Sequence, residues 1–341
     1  MKAAGAPALL VLGATGSLGS AVCAAAARAI PGARVLRASR HAEGPDAFRA
    51  DVQDPASLAA AFRAADVAIC AVGPFEYDPA PAIRACAAEG CHWIDLGDRA
   101  RFVAAAEAAA KDAAIAVVSG ASVVPGLVEA LAAPLARVPG AAQLRAWWSL
   151  GSRKAVSGAL LYALLRPLGR RDATGEVRPG RITRRRLGGA PFWFGSHPWP
   201  RGTDAHVADR TLPIALRVGM DHRAQAAALR ALAPLLGRVP EPALLRAASA
   251  VQPATAWIQR LGSPRGALAV EALDFAGRAL GAVEIAAESG LDVAAFPPVW
   301  AARALLAADL RVRGAVRLDA LLPPPALAAA MREAGWIVTG F

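Results

Sequence analysis

The chain has 341 residues, of which 55% are hydrophobic and 19% are charged. This composition can bury a large core, so it excludes a disordered chain and a short disulfide-stabilised scaffold. The four cysteines, Cys23, Cys70, Cys86 and Cys91, have spacings typical of neither a zinc site nor a disulfide framework. We therefore expect no metal site, and we interpret the cysteines as small apolar residues in a reducing compartment.

The formal net charge is +11, and it is unevenly distributed. Residues 1–125 are close to neutral, with 11 Lys and Arg against 12 Asp and Glu. Residues 126–341 hold the excess, with 27 basic against 15 acidic residues. No recognised binding motif accompanies this excess, so we expect no nucleic-acid partner.

The amino-terminal segment resembles a secretion signal, because no charged residue lies between Lys2 and Arg28. Three glycines, Gly13, Gly16 and Gly19, interrupt the segment with a patterned loop, which argues against a cleaved signal. No other stretch reaches the roughly 18–20 apolar residues that a membrane-spanning helix needs. We expect a cytoplasmic protein.

Short apolar strands alternate with helices along the first 120 residues. The predicted strands lie at 8–12, 34–38, 66–72, 92–96 and 115–119, and the predicted helices run from the glycine loop to Ile30, over 56–64, from Pro79 to Glu89 and over 100–110. Asp54 and Pro55 suit the cap and first position of the second helix. Because parallel strands need crossover connections, the alternation predicts a doubly wound parallel sheet, an α/β Rossmann domain over 1–125.

The pattern changes after Pro125. The sequence predicts a strand at 143–150, a helix at 158–165, a hairpin of strands 267–275 and 279–287, and helices at 294–308 and 325–334, whereas 166–211 show no sustained period. These elements predict a second, α+β domain over 126–295 for substrate binding or dimerisation. We expect the helices of 296–341 to pack back on the first domain.

A glycine loop follows the first predicted strand and opens the first predicted helix. Its sequence, Gly13-Ala14-Thr15-Gly16-Ser17-Leu18-Gly19, has the spacing G-x-x-G-x-x-G, a variant of the dinucleotide fingerprint. Glycine lets the backbone turn tightly and approach a pyrophosphate, while the helix N-terminus offers unpaired N–H groups. The context therefore predicts a dinucleotide site; a tight turn without a ligand is the alternative.

The residues after the second strand favour NADP over NAD. Ser39 and Arg40 stand there, and no acidic residue appears before Glu43. A serine can donate to a 2′-phosphate and an arginine can bind it through a charge-assisted fork, whereas NAD sites usually place a carboxylate here. Arg40 could equally be a solvated loop residue. Asp51 lies where the third strand of a Rossmann sheet would end, before the helix predicted over 56–64. Its carboxylate could meet the adenine amino group or cap a helix.

Four segments resemble the saccharopine dehydrogenase-like NAD(P)-binding family: GATGSLG at 13–19, DVAICAVGPFEYD at 66–78, AIRACAAEGCHWIDLGD at 82–98 and AVVSGASVVPGL at 116–127. They occur in the family's order and cover roughly the first 130 residues. The resemblance implies a Rossmann fold and an NADP-dependent oxidoreductase. It also implies cofactor contacts at Gly13, Thr15, Gly16, Leu18, Gly19, Ser39 and Arg40, and contacts beside the nicotinamide at Val72, Gly73, Pro74 and Phe75.

The sequence departs from the family pattern at three places. Trp93 replaces a tyrosine, Asp98 replaces a glutamate, and the segment 120–125 lacks the aspartate of the family's G-F-D-S-x-P motif. The family includes amino-acid-joining reductases, polyamine-pathway dehydrogenases and enoyl reductases of lipid intermediates. The resemblance therefore implies the fold and the cofactor but does not identify the substrate.

Four residues are candidates for catalysis: Tyr77, Asp95, Asp98 and His92. Reduction of a carbonyl or enoyl group needs a donor to the developing negative charge, and Tyr77, three residues after Pro74, is the first candidate for it. Each candidate has a structural alternative. Tyr77 could cover the cofactor, Asp98 could cap a helix, and His92 could be a packed or hydrogen-bonded residue at a strand start.

Residues 153–186 contain ten Lys and Arg, and Phe192, Trp193, Phe194 and Trp199 follow. Basic and aromatic residues in this order are typical of an anion-binding or membrane-surface patch. The candidates are an acidic substrate such as a carboxylate, coenzyme A or carrier-protein phosphopantetheine, and a peripheral membrane or lipid contact through 153–199. A solvated arm or a homodimer contact is the alternative.

Together these patterns predict hydride transfer between NADP and an imine, carbonyl or enoyl group of a small or lipid-linked substrate. One alternative is an enoyl reductase of lipid or polyketide intermediates, which an apolar pocket lined by Trp147, Trp148 or Trp193 would favour. The other alternative is a non-catalytic NADP-binding sensor or interaction protein.

Overall fold

The computed structural model describes residues 6–153, 157–172, 175–176, 180–200, 203–207, 210–255, 262–307 and 312–340. The chain forms two compact units: the first comprises Met1–Leu127 and Ala294–Pro323, and the second comprises Val128–Val293 and Pro324–Phe341. The segment 296–341, expected to pack on the first domain, is thus divided between the two units. Within the described residues, no helix combines the length and the apolar character that crossing a membrane requires.

The described strands are β1 (Ala8–Leu12), β2 (Arg34–Ser39), β3 (Ala47–Arg49), β4 (Val67–Cys70), β5 (His92–Asp95), β6 (Ala116–Val118), β7 (Gln143–Ser149), β8 (Arg171–Asp172), β9 (Gly175–Glu176), β10 (Thr183–Leu187), β11 (Ala190–His197), β12 (Asp204–Val207), β13 (Arg210–Met220), β14 (Gly266–Leu273), β15 (Ala279–Ala287), β16 (Gly314–Ala315) and β17 (Ile337–Thr339). The described α-helices are α1 (Ser17–Ala29), α2 (Pro55–Arg63), α3 (Ala80–Ala88), α4 (Ala100–Ala110), α5 (Val128–Leu135), α6 (Gly158–Leu165), α7 (Arg223–Leu236), α8 (Glu241–Val251), α9 (Gly290–Leu306), α10 (Leu318–Leu321) and α11 (Pro324–Glu333).

The first unit is built on a parallel sheet with the strand order β16-β6-β5-β4-β1-β2-β3. All its strand pairs are parallel, which confirms the predicted Rossmann sheet. The strand order reverses beside β1, which pairs with both β2 and β4. Ligands of such sheets bind outside the carboxyl ends of the strands at this reversal, so the sheet places the glycine loop where a dinucleotide would bind.

Local sequence signals set the helices of this unit. Asp54 caps α2 by accepting a hydrogen bond from the Ala56 amide, and Pro55 occupies the first position, as predicted. The core packs Phe62 of α2 edge-on against Trp93 of β5, with the ring centroids 6.3 Å apart. Three of the four cysteines are buried and none forms a disulfide. Their burial agrees with the expectation that they act as small apolar residues.

The second unit is built on a mostly antiparallel sheet with the order β10-β11-β13-β7-β14-β15-β17, and β12 pairs with β13. Only the β7–β13 pair is parallel among these described strands. The predicted hairpin of β14 and β15 is confirmed, and Gly277 in its turn has a φ of 78°. Residues 166–211, for which the sequence showed no period, contain the strands β8 to β12.

On the second sheet, charged side chains pack against aromatic side chains and form hydrogen bonds and ion pairs with one another. The indole Nε1 of Trp147 donates to Glu271 at 2.8 Å, and Arg185 forms an ion pair with the same carboxylate. The guanidinium of Arg185 also lies 4.9 Å from the centroid of the Trp147 ring. A buried carboxylate is tolerable only when it is paired and hydrogen-bonded, and these partners meet that requirement.

Candidate functional site

The glycine loop closes tightly between β1 and α1. Gly13 has a φ of 80°, a conformation that favours glycine. A Cβ atom on Gly19 would lie 2.1 Å from the carbonyl oxygen of Gly13, so any side chain there would push α1 away from the loop. The amide of Gly16 donates to the Gly13 carbonyl at 3.0 Å. Two of the three glycines are therefore fixed by backbone geometry and close packing.

The N-terminus of α1 presents its amides without a competing side chain. Gly16 is the cap residue, no side chain caps the helix, and its first turn contains no acidic residue. Thr15 and Gly16 are exposed, and Ser17 and Leu18 are half-buried. Free N–H groups and the positive end of the helix dipole make this loop suited to a phosphate group.

Ser39 and Arg40 stand at the carboxyl end of β2. The hydroxyl oxygen of Ser39 accepts a hydrogen bond from the amide of His41 at 3.2 Å. Arg40 is exposed, and within the described part of the chain its side chain makes no hydrogen bond or ion pair. Both groups are thus available to an anion at the end of this strand.

The acidic residues that follow β2 are engaged elsewhere. Glu43 forms an ion pair with Arg49 at 2.8 Å, and Asp46 forms one with Arg34 at 2.7 Å. Asp51 follows β3 and accepts a hydrogen bond from the amide of Gln53 at 3.0 Å. Asp51 therefore closes a local turn and does not cap α2; its contact with an adenine stays a prediction.

The segment after β4 lies against the glycine loop. A Cβ atom on Gly13 would be 3.1 Å from Cγ2 of Val72, so these two predicted cofactor residues are neighbours. The Gly73–Pro74 peptide bond is cis. Phe75 is buried and packs edge-on against Phe102, with the centroids 5.0 Å apart. The structure thus brings the segment predicted to border the nicotinamide together with the predicted pyrophosphate loop.

Tyr77 points back into the same segment. Its hydroxyl donates to the carbonyl oxygen of Val72 at 3.1 Å and lies 3.3 Å from the Cys70 sulfur. Its ring packs edge-on against Phe102 at 5.4 Å. Burial raises the pKa of Tyr77 well above its ordinary value, and the neighbouring Cys70 adds to this. The phenol therefore remains protonated, with its proton directed at Val72.

Asp95 lies fully buried at the carboxyl end of β5. Its carboxylate accepts four hydrogen bonds, from the amides of Gly97 and Gly120, the hydroxyl of Ser119 and the indole of Trp93, at 2.9–3.0 Å. Burial raises the pKa of Asp95, and these hydrogen bonds oppose the rise. Asp95 thus ties the end of β5 to the segment after β6, and sequence reasoning had not identified Ser119 as its partner.

The other two catalytic candidates lie on either side of Asp95 in the sequence. His92 begins β5, at the amino end of the strand, and its Nδ1 accepts from the Ala116 amide at 2.9 Å. His92 therefore lies at the amino ends of the parallel strands, whereas the glycine loop lies at their carboxyl ends. Asp98 is half-buried, and the cap of α4 is Arg99 and not Asp98. No group of His, Cys, Asp and Glu among the described residues could hold a metal ion.

Sequence comparison with family models and with curated proteins gives no match. Among solved structures, apo saccharopine dehydrogenase (L-Glu forming) from Saccharomyces cerevisiae has a TM-score of 0.61 at 12% identity, covering 98% of this chain and 100% of that chain. An engineered D-amino acid dehydrogenase bound to NADP+ has a TM-score of 0.50 at 16% identity, covering 96% of this chain and 99% of that chain. A second structure of the engineered enzyme has a TM-score of 0.52 at 17% identity, with 95% and 99% covered. The chain therefore has the fold of saccharopine dehydrogenase, as the resemblance of its sequence motifs predicts.

Proposed function

We propose that the protein is an NADP-dependent oxidoreductase that transfers a hydride to or from an imine, carbonyl or enoyl group of a small or lipid-linked substrate. The observation that carries this proposal is the glycine loop at the strand-order reversal. The close approach of Gly19 to Gly13 leaves no room for a Cβ atom, and it lets the backbone amides of α1 face a pyrophosphate. The loop residues 13–19 would hold that pyrophosphate.

Two features support NADP as the cofactor. Ser39 and the unpaired Arg40 stand where a 2′-phosphate would lie, and the carboxylates of Glu43 and Asp46 are held by other arginines. Arginine binds phosphate through a planar, charge-assisted fork. The engineered D-amino acid dehydrogenase of similar fold was solved with NADP+. We therefore propose NADP, with NAD as the weaker ligand.

When bound, the nicotinamide of the cofactor donates or accepts the hydride. The chain's own contribution is to position the reactants and exclude water, which can account for much of the catalysis. Val72 and Phe75 supply one rigid wall, because Phe75 packs on Phe102 and the Val72 carbonyl is held by Tyr77. Asp95 fixes the neighbouring strand ends through four hydrogen bonds.

Among the three substrate groups, these contacts favour an imine. A protonated imine is already activated, whereas a carbonyl or enoyl group needs a donor to the developing negative charge. The Tyr77 proton is directed at Val72, and the Asp95 carboxylate is occupied by four donors. A protonated imine needs no further hydrogen-bond donor, so it suits a site whose polar side chains already form hydrogen bonds within the protein.

The enoyl alternative has less support. Trp147 is buried and bonded to Glu271, and Trp193 lines a cleft rich in arginine, so neither forms the apolar pocket that an enoyl reductase would favour. A non-catalytic NADP-binding sensor fits the committed polar groups equally well. Turnover of NADPH with a substrate would distinguish an enzyme from a sensor.

The test is NADPH consumption with three substrate panels: 2-oxo acids mixed with amines, aldehydes and ketones alone, and enoyl thioesters. We expect consumption that requires both an oxo acid and an amine, and we expect it to be lost in Gly19→Ala. Consumption with enoyl thioesters alone would replace the imine by the enoyl alternative. NADPH binding without consumption on any panel would favour the sensor.

A further inference from the structure

The basic residues predicted as a cluster over 153–186 differ in their contacts. Arg185 is paired with Glu271, Arg166 lies 3.7 Å from Glu241, and Arg170 donates to the Val239 carbonyl. Lys154 and Arg178 lie outside the described residues. Part of the predicted charge therefore stabilises the second unit and does not face a ligand.

Two other arginines of the cluster, Arg181 and Arg184, border a cleft in the second unit. The cleft has a volume of about 440 Å³, which lies in the range of small-molecule sites. Its lining consists of Arg181, Ile182, Arg184, Trp193, Arg223 and Arg230. Arg223 and Arg230 are far from the predicted cluster in sequence, and sequence reasoning did not associate them with it.

Three of the four arginines lie on regular elements, Arg184 on β10 and Arg223 and Arg230 on α7. Arg184 pairs directly with Trp193 of β11, and its guanidinium carbon lies 5.6 Å from the centroid of the indole ring. A guanidinium over an aromatic ring keeps its N–H edge free for a ligand. Arg223 and Arg230 are seven residues apart on α7, so they project from the same face of that helix.

The cleft carries positive charge that no described side chain neutralises. Within the described residues, none of the side chains of its four arginines forms an ion pair or donates a hydrogen bond, and no lining residue is acidic. Asp221, which precedes α7, is occupied by the amides of Ser152 and Ser263 and the hydroxyl of Ser152. Four guanidinium groups around one concave space constitute a site for a multiply charged anion.

We propose that this cleft binds an organic anion that carries a pyrophosphate or two neighbouring phosphate groups. One carboxylate would neutralise only one of the four charges, whereas a pyrophosphate presents several oxygens to bidentate guanidinium groups. Trp193 offers an apolar surface beside the charges for the rest of the ligand. The ligand could come from solution or from a lipid headgroup, and the chemistry recognised is the same.

The test is calorimetric titration of the full chain with inorganic pyrophosphate, for wild type and for Arg184→Gln and Arg230→Gln. Each substitution removes one charged hydrogen-bond donor from the cleft, so we expect each to weaken binding about tenfold or more. Arg332→Gln is the matched control, because Arg332 is exposed on α11 of the same unit and does not line the cleft. We expect this control to retain wild-type affinity, and we expect binding to weaken as salt is added.

Vesicles that contain cardiolipin, whose headgroup carries two phosphate groups, identify the source of the phosphate. Pyrophosphate binding that is weakened in Arg184→Gln and Arg230→Gln, without vesicle binding, supports a soluble ligand, whereas vesicle binding that is lost in these two variants supports a lipid headgroup. The proposal is overturned if neither probe binds, if Arg332→Gln weakens binding as much as the two cleft substitutions, or if pyrophosphate binds equally to wild type and to both cleft variants, since that binding would belong to the glycine loop. Urea unfolding is measured on every variant, and an unchanged unfolding midpoint shows that the variants fold.

Discussion

The hydroxyl of Tyr77 donates a hydrogen bond to the backbone carbonyl oxygen of Val72 at 3.1 Å. This bond joins the segment before α3 to the segment after β4, beside the glycine loop. It directs the hydroxyl of the first candidate proton donor toward the protein backbone. In the proposed function Tyr77 is accordingly a positioning residue. Its predicted role as a proton donor is the competing interpretation, and a Tyr77 variant distinguishes the two.

Tyr77→Phe should keep the ring packing on Phe102 and remove only the hydroxyl. We expect a loss of about 1 kcal/mol in the free energy of unfolding, since one neutral hydrogen bond is removed. We expect turnover, on the substrate that the panels identify, to fall by less than about tenfold, whereas loss of a general acid would cost about 10²–10⁴-fold. Urea unfolding and steady-state kinetics measure the two effects. A fall of the larger size would make Tyr77 the proton donor.

Asp95→Asn should destabilise the first unit. The amide oxygen can still accept from Gly97, Ser119 and Gly120, but the amide nitrogen would face the indole N–H of Trp93, donor against donor. We expect a loss of about 1–3 kcal/mol in the free energy of unfolding. Urea unfolding of both proteins as a function of pH measures it.

The pH dependence of this loss has a definite sign. Burial raises the pKa of Asp95, so its contribution to stability is complete below the pKa of the unfolded chain and declines as pH rises through the folded pKa. The Asn variant lacks this decline. The difference between wild type and variant should therefore be largest below about pH 4 and shrink toward neutral pH. A difference that grows with pH would show that the four hydrogen bonds outweigh burial.

Gly19→Ala should displace α1 from the glycine loop, because its Cβ atom would lie 2.1 Å from the Gly13 carbonyl oxygen. We expect a loss of about 1–3 kcal/mol in stability, as for an overpacked core, together with loss of NADPH binding. Gly16→Ala is the matched control for stability, since its Cβ atom would lie 3.3 Å from the same oxygen. Equal stability losses in the two variants would contradict the packing argument.

Glu271→Gln should leave Arg185 and Trp147 without their carboxylate partner in the second unit. Glu271 is 8% exposed, and removing one partner of a buried ion pair costs several kcal/mol. Since the Arg185 side chain is 25% exposed, we expect a smaller loss, about 2–3 kcal/mol in the free energy of unfolding. Glu288→Gln, at an exposed position, should change stability by less than about 0.5 kcal/mol. Thermal or urea unfolding measures both, and equal effects would contradict the role of the pair.

Local signals made the first unit predictable. An apolar strand followed by G-x-x-G-x-x-G, and Asp54 followed by Pro55, each specify structure within a few residues. The position of β3 before Asp51 was expected, but its bounds were not predicted, because three residues are too few to show a period. The hydrogen-bond partners of Tyr77 and Asp95 also could not be predicted from the sequence. A backbone carbonyl carries no sequence signal, and Ser119 lies 24 residues from Asp95.

The second unit was less predictable because distant partners decide its structure. Strand β10 reads Thr-Arg-Arg-Arg-Leu, a charged sequence with little strand character, yet Arg185 turns inward to a carboxylate 86 residues away. The arginine cleft likewise combines β10 and β11 with α7, which follows some 30 residues later. Composition showed that basic and aromatic residues were abundant here, and only the fold showed which of them meet.

The central claim is that the carboxyl end of β2 recognises NADP, and nucleotide affinity tests it most directly. The measurement is the dissociation constants of NADPH and NADH for wild type, Arg40→Ala and the control Arg84→Ala, which changes an exposed arginine on α3 of the same unit. We expect wild type to prefer NADPH, and we expect Arg40→Ala to lose about 1.5–3 kcal/mol of NADPH binding while Arg84→Ala loses little. If neither nucleotide binds to wild type, the glycine loop is only a turn and the proposed function is wrong.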